Sequence, residues 1–457
     1  MKIGIIGYGV MGKNLALNLL DKDFEPVVYD IKIKNPSNKK IFLTRNLFDF
    51  IEAFGNQKKI IFVLVPHKAT KETLIKIFRL INQEDIVLNL GNSYFKDSES
   101  FHKLAKDKKF LSVGFSGGYQ GARTGASFMV SGNRSTYKEV IEILKKLAAK
   151  DLTGGKSVAY IGEGGSGHFV KMIHNGIEYA LMQLIAEVSA VLIDGLHIDY
   201  DSLLKVFDSL KSSKNNSYLL NAAIAVIEAK DSEGRLICSI SDNAGQNGTG
   251  SWTANTILES NLDASTIISA VLFRNLSSNT NTRNYFKKTS PTTLTNFSRK
   301  EIENKTKSIK EIFNLSERFI FAQGINIILD SNKTNKWDLD IQDILRVWSG
   351  GSIIRGDTVN FFQKIYSQNH NDCNPFSFSE IQKINEENID KLREFTLFAI
   401  SNSIPVPLLT SMLSDIDAYG SRSLWTKLIQ GQRDFFGLHG FRKNHSDSTF
   451  HYNWEDE

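Results

Sequence analysis

The stretch KIGIIGYGVMG, Lys2 to Gly12, decides the fold class. Lys2-Ile3-Gly4-Ile5-Ile6 reads as a strand. Three glycines spaced G-x-G-x-x-G follow it, and a helical pattern opens on them. Gly7 permits the tight turn, Gly9 lets the backbone approach a pyrophosphate, and Gly12 lets the helix pack on the strand. Free N–H groups and the dipole at the helix start favour an anion there. A second strand, PVVYD, ends at Asp30, 18 residues beyond Gly12. A carboxylate at that place accepts hydrogen bonds from an adenosine ribose and repels a 2′-phosphate, so NAD is expected over NADP. Lys32 and Lys34 stand close enough to soften the repulsion.

Outward from this loop, strand and helix patterns alternate. KIGII, PVVYD, IIFVLV, DIVLNL, FLSVGF and SFMVSG read as short strands of a parallel sheet built from βαβ units. From about residue 165 long helical patterns take over, at 167–195, 200–212, 217–230, 252–276, 299–323 and 379–403. The fold class is therefore α/β: a Rossmann-like doubly wound domain over 1–164, a large all-helical domain over 165–421, and a C-terminal tail over 422–457. The tail mixes charged, aromatic and glycine residues and reads as a docked segment. A net charge of +5 on 457 residues singles out no partner. The Lys/Asn-rich loops lack the aromatic interleaving of a nucleic-acid surface. No apolar run reaches the ~18 residues needed to cross a membrane. Two cysteines, Cys238 and Cys373, argue against a disulfide framework or a Cys-based metal site and suit a reducing compartment. Cytoplasm is the expected location.

KMIHNGIEY, Lys171 to Tyr179, sets four polar side chains in an otherwise apolar helix. Lys171, His174, Asn175 and Glu178 fall within an arc of about 100°. Ile173, Ile177, Ala180, Leu181 and Leu184 face the other way. Such a patch is either a solvated face with an internal Lys–Glu pair or a buried group that needs partners or a ligand. In the second case desolvation lowers the lysine toward neutrality, where it can take an alcohol proton during hydride transfer. Glu178, about 10 Å further along the axis, can serve the other end of a small substrate.

These residues are similar to those of the 6-phosphogluconate dehydrogenases in their long, dimeric form, over essentially the whole chain. GYGVMGKNLALNL, LGNSYFKDS, GFSGGYQGARTGASFMVSG and GSGHFVKMIHNGIEYALMQL carry the resemblance, with GQNGTGSWTA, VLFR, VWSGGSIIRG and GQRDFFGLH further on. The resemblance implies oxidative decarboxylation of 6-phosphogluconate to ribulose 5-phosphate and carbon dioxide, with hydride transfer to a nicotinamide cofactor, in the pentose phosphate pathway. It implies Lys171 as base for the C3 hydroxyl and then acid on the keto oxygen. Glu178 would protonate the enediol carbon, and Asn92, His174 and Asn175 would orient the substrate. Ser116, Gly117 and Gly118 would line the floor near the carboxylate and nicotinamide. Gly7, Gly9, Val10, Met11, Gly12, Asp30, Val65 and Asn92 would surround the cofactor. The substrate phosphate would meet Tyr179, Thr249 and Arg274, plus Arg433 and His439 from a tail that reaches the partner subunit of a homodimer.

Three places depart from the family pattern. Asp30-Ile31-Lys32 replaces the usual Asn-Arg-Thr, and Pro66-His67 stands where a lysine near the cofactor is common. Asn247 occupies the position of a phosphate-binding lysine, a loss that costs about 1.5–3 kcal/mol. Tyr119-Gln120 replaces a pair of acidic residues after Ser-Gly-Gly. Two other readings stay open on these grounds: a sister β-hydroxyacid dehydrogenase for another sugar acid, or a non-catalytic nucleotide-binding relative.

Overall fold

The computed structural model describes residues 1–32, 40–213, 215–287, 299–368 and 372–454; Lys34 lies outside them. Its sheet contains β1 (Lys2–Ile6), β2 (Glu25–Tyr29), β3 (Phe42–Thr44), β4 (Ile60–Val63), β5 (Ile86–Asn89), β6 (Lys109–Ser116), β7 (Ser127–Gly132) and β8 (Val158–Gly162). The order is β3-β2-β1-β4-β5-β6-β7-β8. Strands β1 to β6 are parallel. Alternate side chains feed two cores. Ile3, Ile5, Ile60 and Phe62 meet Leu15 and Leu19 of the helix Val10–Leu20, whereas Ile6, Ile61 and Val63 meet Leu74 and Ile77 of His67–Phe78. Both faces are thus covered, which is why these strands read as continuous apolar runs. The chain reverses direction across the sheet between β1 and β4, the crevice where α/β sheets bind ligands.

Strand β7 runs antiparallel to β6, and β8 runs parallel to β7. This reversal has a consequence for the helix Ser166–Ala190. Gly164 sits beside Ser131 through the 2.8 Å bond from Ser131 Oγ to its carbonyl. Lys171 then passes Gly114, and His174 reaches Ser116. The helix therefore runs along β6 toward the carboxyl edge of the sheet. Two parallel strands in place of β7 and β8 would have released the chain at that edge and sent the helix away from it.

Ser166–Ala190 and Ile309–Asn335 form the centre of the helical body and are buried nearly all round. The first corrects the expectation about membrane-length runs, because Ser166–Gly195 is long and apolar enough to span one. Two thirds of its apolar window is buried in protein, and it carries the polar patch. Its Glu187 accepts from the backbone N–H groups of Leu408 and Leu409 at 2.8 and 3.0 Å, which caps the helix Pro407–Gly420.

Other bounds shift too. The 252–276 pattern is two helices, Thr249–Glu259 and Ser265–Ser278, because Asn261 turns left-handed at φ 54° and closes the first. The 299–323 pattern breaks at Ser308 and runs on to Asn335. The edge strand β3, the strand β8 and the helices Ile341–Ser349, Asp357–Gln368 and Pro407–Gly420 are additions. The tail forms a helix, Thr426–Gly437, and a small hairpin pairing Phe441–Arg442 with Thr449–Phe450. On the single chain Trp425, Phe435, Phe436 and Leu438 of this tail are 63–76% exposed.

Two histidines, buried His168 and half-buried His102, link the central helix to the sheet through the helix Phe95–Ala105. His168 Nδ1 lies 2.7 Å from Ser98 Oγ, and His102 Nε2 lies 3.0 Å from Ser112 Oγ. Burial lowers them to about 3 and about 4, so both are neutral in the fold. The unfolded chain protonates them near pH 6.5. Their contribution is therefore full above that pH and is lost as pH falls toward 4. Stability should drop by up to about 4 kcal/mol between pH 7 and 5. Urea unfolding at the two pH values measures this, and His168→Gln should reduce the difference.

Candidate active site

The glycine loop is built as its spacing demands. Gly7 has φ 102°, its N–H reaches Tyr29 O at 2.9 Å, and a Cβ on it would lie 2.5 Å from Leu64 O. A Cβ on Gly12 would lie 1.9 Å from Gly7 O, so the helix start rests on the turn. Gly9 faces open space, with Val10 68% exposed and Met11 half-buried beside it. That cradle, bare of side chains and next to free helix N–H groups, fits a dinucleotide pyrophosphate. Asp30 stands at the end of β2. Its carboxylate accepts from Tyr8 N at 2.6 Å and Lys32 N at 2.7 Å, which holds it at the loop's flank. Val65 follows β4 and Asn92 follows β5. A Cβ on the neighbouring Gly91 would meet Val65 O at 2.9 Å, so these two turns pack together at the same carboxyl edge. Val65 is half-buried, and Asn92 is exposed.

The polar patch faces this edge. Gly114 and Gly167 lack the side chains that would hold the helix off: a Cβ on Gly114 would lie 2.4 Å from Gly167 O and 2.7 Å from Lys171 Cβ. Lys171, His174 and Asn175 are buried, and Glu178 is half-buried. Lys171 Nζ donates to Asn175 Oδ1 at 2.6 Å and lies 3.2 Å from His174 Nδ1. With Nδ1 accepting from the ammonium, Nε2 carries the imidazole proton and donates to Ser116 Oγ at 3.0 Å. Ile353 N also donates to that oxygen, at 3.3 Å. Ser116 Oγ thus accepts twice and keeps its own proton to give. Gly117 and Gly118 continue the turn at φ 136° and 60°; a Cβ on Gly117 would lie 2.7 Å from Gly351 O.

Burial governs the charges. It lowers Lys171 to about 8, with Glu178 opposing the shift. It pushes His174 well below its usual value, helped by the Lys171 charge, so the imidazole is neutral. It raises Glu178, with Lys171 and Arg274 pulling it back. A base and an acid whose protonation preferences move toward each other on one helix can exchange roles near neutral pH.

One turn on, the Arg274 guanidinium lies 3.5 Å from the centre of the Tyr179 ring. Thr249 is buried at the start of its helix, and Gly250 beside it passes so close to Tyr179 that a Cβ would come within 2.4 Å of the ring. The fold therefore brings Ser116, Lys171, His174, Asn175, Glu178, Tyr179, Thr249 and Arg274 to one region. Within a single chain Arg433 and His439 are not among them. Arg433 donates to Gln430 at 3.0 Å, and His439 packs on Phe436, both inside the tail. Asn247 is exposed just before the Thr249 helix, and Tyr119 is exposed at the mouth. Gln120 accepts from Tyr218 OH at 3.3 Å. His67 pairs with Asp97 at 3.1 Å and packs on Trp252. Sequence reasoning assigned no role to Gly114, Gly167, Gly351 or Ile353. The only signal for them was small residues beside strands and a Ser-Gly-Gly-Ser run.

A family model for the NAD binding domain of 6-phosphogluconate dehydrogenase matches residues 2–162, and one for the 6-phosphogluconate dehydrogenase C-terminal domain matches 167–454. The decarboxylating 6-phosphogluconate dehydrogenase of Staphylococcus epidermidis is 32% identical over 468 residues, 100% of this chain and 99% of its own. That of Buchnera aphidicola is 33% identical over 464 residues, 99% of each chain. The Plasmodium falciparum 6-phosphogluconate dehydrogenase has been solved in apo form, with its cofactor NADP+ and with its substrate 6-phosphogluconate. It matches with a TM-score of 0.91 at 29% identity, over 99% of this chain and 100% of that one.

A buried ammonium that the fold disfavours is a stability cost. With its value lowered to about 8, Lys171 imposes this cost in full below pH 8 and loses it as pH rises toward 10.5. Lys171→Met should therefore stabilise the protein at pH 7 by up to about 3 kcal/mol. Thermal unfolding of the two proteins reads this directly; a clear loss of stability in the variant would contradict the assigned burial cost.

Proposed function

The chain belongs to the 6-phosphogluconate dehydrogenase family, and we propose that it oxidatively decarboxylates 6-phosphogluconate to ribulose 5-phosphate and carbon dioxide. When bound, the nicotinamide supplies the acceptor for the C3 hydride. Lys171, in its neutral form, takes the proton of the C3 hydroxyl. The β-keto acid that results loses carbon dioxide while the Lys171 ammonium returns its proton to the keto oxygen, giving the enediol. Glu178, whose carboxyl pKa burial raises, delivers a proton to the enediol carbon while Lys171 takes back the proton of the C3 hydroxyl, which leaves the ketone. His174 stays neutral and orients the hydroxyl of Ser116. Backbone N–H groups of Gly117 and Gly118 suit an anion such as the substrate carboxylate. The observation that carries this reading is the joint burial of Lys171 and Glu178, which draws a base down and an acid up on one helix face.

The substrate phosphate falls to Tyr179, Thr249 and Arg274, completed by Arg433 and His439 from the tail of a second copy. The exposed apolar residues of the tail, together with Leu258, Leu272 and Leu276, support a homodimer with exchanged tails. The parts would be the 1–164 nucleotide domain, the 165–421 substrate and dimer domain and the 422–457 arm. Free Cys238 and Cys373 suit the cytoplasm, where the pentose phosphate pathway runs. Asp30, fixed beside the glycine loop, favours NAD over NADP. Asn247 favours a second reading, in which a sugar acid without the phosphate is the better substrate.

Initial rates with 6-phosphogluconate, run in parallel with NAD and NADP and with carbon dioxide trapped, test these statements. We expect one carbon dioxide per reduced nicotinamide and a preference for NAD that Asp30→Asn shifts toward NADP. An unchanged ratio in that variant would remove Asp30 as the discriminator, and a preference for gluconate would replace the substrate. The rate should also rise with pH through a limb near 8, as Lys171 loses its proton. Loss of that limb from the rate of the hydride step would discard Lys171 as the base.

A further inference from the structure

The tail folds around one carboxylate. Asp434 is fully buried, although the helix that carries it is largely exposed, because the tail's own backbone and rings enclose it. Oδ1 accepts from Gly440 N at 2.9 Å and lies 2.8 Å from His451 Nδ1. Oδ2 accepts from Tyr452 N at 3.1 Å and Trp454 Nε1 at 3.0 Å. Burial alone would raise this carboxyl, but the four donors win and hold it down at about 2. The charged form is thus the one the tail is built on.

The donors come from three places: the turn after the helix, and both the backbone and side chains of the segment that follows the hairpin. The turn is strained into shape. Leu438 adopts φ 47° and Gly440 φ 73°, with His439 between them. A Cβ on Gly440 would lie 2.3 Å from Thr449 Cγ2, so the returning strand presses directly on the turn. Gly440 is held on both sides of its Cα, its N–H by Asp434 and its carbonyl by Gln430 Nε2. The same Gln430 accepts from Arg433 Nη1 at 3.0 Å. Asp434 and Gln430 therefore clamp one residue, and Arg433 and His439 flank that clamp. The His439 imidazole folds back over Gly437, with no room there for a side chain.

We infer that Asp434 is a positioning residue for the phosphate site: it fixes Arg433 and His439 relative to each other before the tail meets the second copy. This rests on the reading that the tail holds the substrate phosphate. Two long side chains on a loose tail would lose rotamer and backbone freedom on binding; a closed knot has already lost it. Asp434 itself touches no substrate.

The test compares 6-phosphogluconate with gluconate, which has no phosphate to hold, in the full-length protein with its oligomeric state checked by sedimentation. Asp434→Asn keeps the shape but turns an amide donor toward existing donors. It should raise KM for 6-phosphogluconate ten-fold or more, change kcat less than three-fold, and lower kcat/KM for gluconate far less than for the phosphorylated acid. Trp454→Phe removes one donor and keeps the ring, so it should move KM the same way by a smaller factor; it also serves if Asp434→Asn fails to assemble. Equal losses for both acids would mark Asp434 as a general structural residue and overturn the inference. Arg433→Ala separates the two levels. If it leaves the preference for the phosphorylated acid intact, the tail does not hold the phosphate and the inference falls with the reading beneath it. If it removes that preference while Asp434→Asn and Trp454→Phe do not, the reading stands and the positioning role alone is lost.

Discussion

The contact between Gly114 on β6 and Gly167 on the central helix sets the distance on which the rest of the site depends. A Cβ at Gly114 would lie 2.4 Å from Gly167 O, and one at Gly167 would lie 2.3 Å from Met129 O. Helix backbone and strand backbone therefore touch with no side chain between them. Lys171 follows one turn later, rooted against the same glycine, and His174 one turn after that, against Ser116. A methyl group at either glycine would push the helix outward and open the bond between Ser116 and His174 first. Packing of this density transmits small volume changes directly, because there is little free space to absorb them.

That closeness also explains the electrostatics. Pressed onto the sheet, the patch loses its water, and a single cause then acts on three groups in the directions chemistry requires. The ammonium is disfavoured, the carboxylate is disfavoured, and the imidazole is kept neutral. The imidazole can then serve as a fixed relay of orientation, accepting from Lys171 and donating to Ser116. A charged His174 would stand 3.2 Å from the Lys171 ammonium with, among the described residues, no carboxylate closer than Glu178 at 3.8 Å.

Much of this was legible in the residues. The glycine loop, Asp30 and the apolar runs identify a doubly wound sheet because each has a local cause: a turn, a helix start, a pleat buried on both faces. The arc from Lys171 to Glu178 was legible because helical periodicity is a property of the segment itself. The solvated alternative failed on a fact no periodicity contains, the sheet lying under Lys171. Strand β3 is three residues on an edge, too short to show a pattern. The break at Asn261 hides inside an apolar repeat that continues on either side of it. The exposure of the tail's aromatics on the single chain was not legible, because a sequence does not say which of its aromatics its own fold covers. Gly114 and Gly167 carry no chemistry, so their importance appears only when the two elements are brought together.

The helix Ser166–Ala190 lies on β6 and β7 through its first half and forms the core of the helical body through its second. A further joint lies beside it: Arg346, on the helix Ile341–Ser349, donates to the carbonyls of Lys156 and Val158 at 2.8 and 3.1 Å and pairs with Asp151 at 3.0 Å. The mechanical consequence is that the two halves are welded along a length of backbone. They are not hung from a linker. Swinging one against the other would tear the sheet–helix contact that buries Lys171. Motion that admits or releases small molecules is thereby confined to parts outside the weld, and the chemistry keeps its geometry throughout the cycle.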